Sequence, residues 1–160
     1  MKIGVISDTH IPDRAKELPR EVLNALCGVE LILHAGDLVQ ISVLEELKKI
    51  AKVKAVCGNM DLPEVRDVLA RKEIIEVGGF KIGLIHGWGP ADKLPETIKN
   101  EFSSKMDIIV FGHSHNPLNQ VIKGTLFFNP GSPTDKAFSV YNSFGIININ
   151  DKIIGEIIKI

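Results

Sequence analysis

Five short apolar runs in this chain each end beside a side chain that can bind a metal ion. The runs KIGVIS, LILHAG, VKAVCG, KIGLI and IIVFG are rich in Val and Ile and lie next to Gly, which predicts buried β-strands. In α/β sheets, ligand-binding residues gather beyond the carboxyl ends of the strands. Two carboxylates, four imidazoles and one amide should therefore meet at one rim: Asp8, His10, Asp37, Asn59, His86, His113 and His115. Because four of the five histidines fall in this set, we predict a metal site there.

The size and charge of the chain limit the classes of protein it can represent. A chain of 160 residues fits one domain, which we place at residues 1–160. The net charge of −1 and the lack of a block of Lys and Arg make nucleic acid an unfavoured partner. No apolar run approaches the roughly 18 residues of a membrane helix, and the first run is too short for a signal peptide. We expect a cytoplasmic protein with no membrane partner.

The first half of the chain alternates between strand and helix patterns. We predict strands at 2–7, 30–34 and 53–57, and helices that begin at Pro19 and cover 41–50. A short helix or turn should follow from Pro63 to about residue 70. This β-α-β-α-β order favours a parallel sheet with right-handed crossovers.

The second half changes to strands separated by Gly, Pro, Asn and Asp. A hairpin is predicted at Gly78–Gly79, followed by a helix over 94–102 and a strand over 107–111. The remaining strands are expected to be antiparallel and to cover 119–123, 125–128, 138–149 and 152–160. The predicted fold class is α/β, with two mixed β-sheets packed as a sandwich and flanked by helices.

The donor set of the predicted site constrains the metal. Most of the short motifs that contain these donors are weak evidence for a metal site when taken alone. Gly112-His113-Ser114-His115 is stronger evidence, and every one of the motifs lies at the end of a predicted strand. Seven ligands are too many for one ion and suit two ions that share Asp37 as a bridge. Mixed imidazole and carboxylate donors favour Mn²⁺, Fe²⁺, Ni²⁺ or Zn²⁺, whereas Mg²⁺ is less suited. The absence of Cys from this donor set argues against a structural zinc site.

The motifs D-x-H, G-D, G-N-x-D, a lone His and G-H-x-H, in that order, resemble the calcineurin-like metallophosphoesterase superfamily. The short chain and the segment Asn129-Pro130-Gly131-Ser132 are most similar to its small bacterial and archaeal phosphodiesterases. The resemblance implies a four-layer αββα sandwich. It also implies one metal held by Asp8, His10, Asp37 and His115, and a second held by Asp37, Asn59, His86 and His113.

The expected activity is hydrolysis of a small phosphodiester substrate by a di-metal centre. A hydroxide that bridges two divalent transition metal ions, Mn²⁺ first among the candidates, would attack phosphorus near neutral pH. Asp37, Asn59 and His86 are the expected catalytic residues, and Asn59 can both bind an ion and donate to phosphate. His34 and Asp61 are expected to lie behind the ligands, although a proton-donor role for Asp61 stays open.

The chain departs from the pattern of many members of the superfamily at two positions. Met60 and Gln40 stand where those members carry His and a second Asp, a pair that resembles a general acid and its orienting partner. A thioether and an amide cannot protonate a leaving group, and general acid catalysis contributes about 10²–10⁴-fold. We therefore expect activity on activated aryl diesters and weak activity on alkyl esters.

Two other functions compete with this prediction. The segments THIPDRAKELP, FKIGLIHG and FNPGS resemble the metallophosphoesterase-fold subunit of the retromer coat, which implies a metal-binding scaffold for protein interaction. By this resemblance, that subunit has Asn in place of the bridging carboxylate, whereas this chain keeps Asp37, which favours an enzyme. A DNA-repair nuclease is the second alternative. A homo-oligomer that pairs through an edge strand of the C-terminal half also stays open.

Overall fold

The computed structural model describes residues 1–160 and contains two mixed five-stranded sheets. Strands of the first sheet are β1 (Lys2–Ile6), β2 (Leu31–His34), β3 (Lys52–Ala55), β9 (Ser143–Ile149) and β10 (Ile153–Lys159), in the order β10-β9-β1-β2-β3. Strands of the second sheet are β4 (Lys72–Val77), β5 (Phe80–Ile85), β6 (Ile108–Val110), β7 (Leu118–Ile122) and β8 (Thr125–Asn129), in the order β4-β5-β6-β8-β7. The predicted α/β sandwich is thus confirmed.

Four short helices cover the sheets. They are α1 (Arg20–Leu26), α2 (Ile41–Lys48), α3 (Pro63–Arg66) and α4 (Leu94–Lys99), and a 3₁₀ turn at Ala91–Lys93 precedes α4. Proline stands just before or within the first turn of α1, α3 and α4, where its missing N–H leaves no hydrogen bond unmade. None of these helices has the length and hydropathy that a membrane crossing requires.

Alternation along the strands divides the buried side chains into three layers. Ile3 and Val5 of β1 face the second sheet and pack with residues such as Leu84 and Val110. Ile6 and Ile32 face the opposite way, toward α1 and α2. On the outer face of the second sheet, residues of β5, β6 and β8 pack against α4 and Phe102. The strand interiors are therefore apolar, and the polar side chains that could bind a ligand lie at the strand ends.

The structure corrects three details of the prediction. The strand expected from residue 138 begins at Ser143, because residues 133–142 form a loop, and the helix expected to reach residue 102 ends at Lys99. The strand at 125–129 pairs antiparallel with β7 but parallel with β6. Its side chains are all buried whereas β7 is largely exposed, so β8 takes the interior position and β7 the edge.

The rim that matters for function lies beyond the carboxyl ends of five strands. β1, β2 and β3 run parallel in the first sheet, and β5 and β6 run parallel in the second. The loop after β1 lies along the loop after β2 through bonds from Asp8 N–H to Gly36 O and from His10 N–H to Asp37 O, each 3.0 Å. Gly112 N–H donates to His86 O at 3.1 Å and joins the loops of the second sheet in the same way.

Candidate metal centre

The rim loops hold their polar residues in a backbone conformation that most residues avoid. Seven non-glycine residues have positive φ, and five of them belong to the predicted site: Asp8 (54°), His10 (43°), Asp37 (57°), His113 (68°) and His115 (56°). Such strained conformations cost about 1–3 kcal/mol each and persist where the surrounding structure enforces them. The concentration of strain at one rim marks this rim as the functional part of the fold.

Two glycines of the motifs are required by close approach. A Cβ at Gly58 would lie 2.1 Å from Asp37 Oδ1, and one at Gly112 would lie 1.9 Å from Ser7 Oγ and 2.6 Å from Asp8 Oδ2. Any larger residue would displace the Asp37 or Asp8 carboxylate. The Gly before Asn59 and the Gly before His113 therefore allow neighbouring loops to converge.

One group of donor atoms lies between the two sheets at Asp8, His10 and His115. The distance from Asp8 Oδ1 to His115 Nε2 is 3.3 Å, and His10 Nε2 lies 4.0 Å from Asp8 Oδ1. The two Nε2 atoms of His10 and His115 are 3.2 Å apart. Two ring nitrogens that face each other next to a carboxylate fit the chemistry of a shared cation, because imidazole lone pairs and carboxylate oxygens are its usual donors.

A second group forms around His86. His86 Nε2 lies 3.3 Å from Asp37 Oδ2 and 3.1 Å from Asn59 Oδ1. His113 Nδ1 lies 3.1 Å from the same Asn59 oxygen. His86 Nδ1 donates to the carbonyl of Ala35 at 2.8 Å, so in the neutral ring Nε2 carries the lone pair that points into the group. The four side chains thus present two nitrogens and two oxygens toward one another.

Asp37 lies between the two groups, and Asp8 also lies within 4.8 Å of the donor atoms of Asp37 and His86. Its Oδ2 lies 3.3 Å from His86 Nε2 and 3.7 Å from His10 Nε2. Its Oδ1 accepts the N–H of Met60 at 2.7 Å and is turned away. A single carboxylate oxygen therefore stands between the two sets of donors, and the structure brings all seven predicted ligands together.

The pKa values in the site follow from the crowding of carboxylates and imidazoles. Burial acts to raise the pKa of Asp8 and Asp37, but the nearby His115 and His86 hold both below the ordinary value of 3.8. Burial acts to lower the pKa of His86, yet Asp37 and Asp8 raise it to about 9. Protons on buried imidazoles balance the two aspartates when no metal is present, and divalent cations would supply the same positive charge.

His34 and Asp61 lie behind the donor atoms and organise the loops. His34 Nδ1 accepts the N–H of Gly36 at 3.2 Å, so Nε2 carries the proton toward Thr9 Oγ1. Burial lowers the pKa of His34 to about 3, which keeps the ring neutral. Asp61 accepts three backbone N–H groups, from Asp37 at 3.2 Å and from Val39 and Gly58 at 2.7 Å. It fastens the loop after β2 to the turn that carries Asn59.

Asp135 is a site residue that the sequence analysis missed. Its Oδ2 is hydrogen-bonded to His115 Nδ1, and its Oδ1 accepts the N–H of Ala137 at 2.7 Å. The pair leaves His115 Nε2 free to face Asp8, which is how a carboxylate commonly orients a metal-binding histidine. A signal existed in the segment Ser132-Pro133-Thr134-Asp135, because Ser132 Oγ accepts the Asp135 N–H at 3.0 Å in a local turn. The predicted strand begins at residue 138, beyond Asp135, and no local pattern assigns Asp135 a role.

Replacing Asp135 with Asn is expected to weaken metal binding by about 10–100-fold, because the Asn side chain cannot hold the His115 ring with the same charge. Calorimetric titration of Mn²⁺ into the metal-free protein measures the change. Asp151→Asn, at the exposed turn between β9 and β10, is the matched control and should bind like the parent. Equal affinities of the parent and Asp135→Asn would show that the pair has no part in metal binding.

The donor groups open into a cavity of about 540 Å³, here termed the mouth cavity. Its lining includes His10, Asp37, Asn59, His113 and His115. The rest of the wall is formed by Asp13, Arg14, Met60, Ser114 and Phe138. The Arg14 guanidinium lies 5.3 Å above the Phe138 ring. Met60 is 52% exposed, so the position that carries His in many superfamily members faces this opening.

Two facing mixed sheets with nitrogen and oxygen donors at a shared rim are typical of metal-dependent phosphoesterases. The chain belongs to the calcineurin-like phosphoesterase superfamily, whose family model matches residues 1–152, and this confirms the predicted family. A probable metallophosphoesterase of Methanocaldococcus jannaschii is 40% identical over 163 residues, which cover 100% of this chain and 82% of the relative. A phosphodiesterase of the same organism is 31% identical over 145 residues, covering 82% of this chain and 83% of the relative.

Solved structures add a second kind of relative. Vps29 of Entamoeba histolytica, crystallised in complex with Zn²⁺, superimposes with a TM-score of 0.77 at 28% identity, covering 99% of each chain. The family and the donor groups support a phosphoric ester hydrolase with potential metal-binding residues. The likeness to Vps29 agrees with the predicted resemblance to the retromer subunit.

Proposed function

We propose that residues 1–160 form one domain that hydrolyses small phosphodiesters with two divalent metal ions and no histidine general acid. Asp8, His10, Asp37 and His115 would hold one ion, and Asp37, Asn59, His86 and His113 the other. When bound, such ions neutralise charge on a phosphate and acidify a shared water. The observation that carries the proposal is the position of Asp37 Oδ2, which faces His86 at 3.3 Å and His10 at 3.7 Å.

Side chains around the donors account for the rest of the reaction. Asn59 Oδ1 is directed at the two imidazoles, which leaves the Nδ2 hydrogens for a phosphate oxygen. Arg14 lines the mouth cavity over the Phe138 ring, beside Asp13, and supplies a cation for a phosphate oxygen. Asp61 is a poor proton donor because backbone N–H groups occupy both its oxygens. Protonation of the leaving group would therefore fall to solvent, which favours aryl leaving groups.

A panel of metals and substrates tests this function. We expect metal-free protein reloaded with Mn²⁺ to hydrolyse bis(p-nitrophenyl) phosphate, with less activity under Mg²⁺ and on an alkyl monoester. Ni²⁺, Fe²⁺ and Zn²⁺ are the other candidate metals for these donors. Activity that persists after chelation of all metal would contradict the proposal.

The likeness to Vps29 supports a second candidate, a metal-binding scaffold with little catalytic activity. Under that alternative the protein would bind the ions without hydrolysing any ester of the panel. The same panel therefore separates the two functions. We further infer a cytoplasmic protein, and pairing of two copies through an exposed edge strand such as β10 is a compatible assembly.

A further inference from the structure

A second cavity, of about 640 Å³, lies beside the donor groups and shares a wall with them. We term it the side cavity. Asn59 and His86 of the proposed metal centre form part of its lining, and Leu69 and Ile85 give it apolar surface. Asn59 lines both cavities, so the side cavity is the neighbouring space for a group attached to a phosphate held at the metal centre.

The lining of the side cavity is unusually basic for a chain of net charge −1. Arg66, Arg71 and Lys72 face a single acidic residue, Glu101. Lys72 Nζ is bound to Glu101, at 3.2 Å from its carboxylate and 2.6 Å from its carbonyl oxygen. Lys72 and Glu101 thus neutralise each other, and the net positive charge of the cavity comes from the two arginines.

The two arginines differ in how they are held. Arg66 Nη2 donates to the carbonyl of Asn59 at 2.6 Å, which fixes its charge against the turn that carries a proposed ligand. Arg71 forms no ion pair and stands exposed at the cavity. The backbone next to it is anchored, because Cys57 N–H donates to the carbonyl of Ala70 at 2.9 Å. Arg71 therefore brings an exposed guanidinium without a paired anion to the cavity from an anchored stretch of backbone.

An aromatic wall completes the side cavity. Trp88 is 48% exposed although it is the one Trp of the chain, and it lies between Gly87 and Gly89, both with positive φ. A half-exposed indole in the lining of a positively charged cavity suits a planar ring that carries an anion. The guanidinium plane of Arg71 suits a phosphate through paired hydrogen bonds.

We propose that the side cavity binds a second phosphate on the substrate, so that the preferred substrate is a nucleotide diester that carries a further phosphate. Arg71 and Arg66 would contact that phosphate and Trp88 the base. This inference rests on the proposed function, because the scissile phosphate must lie at the metal centre. The phosphate that is not cleaved would stay bound to the arginines throughout the reaction.

A pair of substrates with the same scissile bond tests the assignment. The p-nitrophenyl ester of thymidine 5′-phosphate is compared with the same ester that carries a 3′-phosphate. We expect the Mn²⁺-loaded protein to show a kcat/KM on the order of tenfold higher for the second ester, as one charge-assisted hydrogen bond provides. Arg71→Gln should bring the ratio close to one, whereas Arg20→Gln, on α1 and outside both cavities, should keep it.

Binding measured without turnover separates this inference from the proposed function. Calorimetry compares thymidine 3′,5′-bisphosphate with thymidine 5′-phosphate in the parent, Arg71→Gln and Arg20→Gln. A preference for the bisphosphate that disappears in Arg71→Gln supports the side cavity even if neither ester is cleaved, an outcome that would overturn the phosphodiesterase function. The side-cavity assignment would be overturned if the parent shows equal kcat/KM for the two esters and equal affinity for the two nucleotides. It would also be overturned if the preference is unchanged in Arg71→Gln.

Discussion

Asp37→Asn is expected to abolish hydrolysis of aryl diesters and to reduce the number of ions that the protein binds. Asp37 Oδ2 faces His86 of one donor group and His10 of the other, so the change removes a negative charge next to both. Loss of a partner behind a ligand costs about 10–100-fold, and loss of a shared ligand should cost more than that. Steady-state kinetics with Mn²⁺, together with metal analysis after dialysis, measure the two effects.

The fold should survive this substitution. The Asn oxygen can still accept the Met60 N–H that Asp37 Oδ1 accepts, and one buried negative charge is removed. Asp67→Asn, at the exposed end of α3, is the control and should retain parental kinetics. If Asp37→Asn retains both parental activity and two bound ions, the shared-carboxylate centre is wrong.

Met60→His is expected to increase hydrolysis of an alkyl diester by about 10²-fold or more, because it introduces a side chain that can protonate the leaving oxygen. Position 60 faces the mouth cavity, and its backbone N–H is fixed on Asp37 Oδ1. Activity on bis(p-nitrophenyl) phosphate should change little, since p-nitrophenolate leaves without a proton. The ratio of kcat/KM for the two diesters is the measurement.

The matched control for this gain is Leu62→His, which adds an exposed imidazole two residues further along and outside the mouth cavity. It should leave the ratio unchanged. The variant Met60→His/Gln40→Asp restores both residues of the missing pair and should exceed Met60→His alone. No change in the ratio in either variant would mean that the leaving group is protonated by another route.

The arrangement of the strands was largely predictable because their apolar runs are short and end in Gly or polar residues. Val and Ile in KIGVI and IIV need burial on both faces, and this requirement creates the sandwich. Since the carboxyl ends of parallel strands share an edge, Asp8, Asp37 and His86 were expected to meet, and they do. The order of β7 and β8 was harder to predict, because local sequence patterns do not indicate which strand lies next to β6.

The site was less predictable wherever it depends on loops. Asp135 reaches His115 from a loop, and nothing local connects residues 20 positions apart. The positive φ angles of Asp8 and Asp37 are tolerated by Asp, but the hydrogen bonds between loops that hold them join distant parts of the chain. Arg71 becomes notable when Glu101 is seen to neutralise Lys72 and not Arg71. Such contacts between distant residues form only in the folded chain, so local sequence patterns do not predict them.

The most direct test of a two-ion centre is an anomalous difference map from crystals soaked in Mn²⁺, recorded at the manganese absorption edge. We predict two peaks about 3.5–4 Å apart, one among Asp8, His10 and His115 and one among Asn59, His86 and His113, with Asp37 between them. A map with no peak at this rim, or with the imidazoles turned away from bound manganese, would contradict the di-metal assignment.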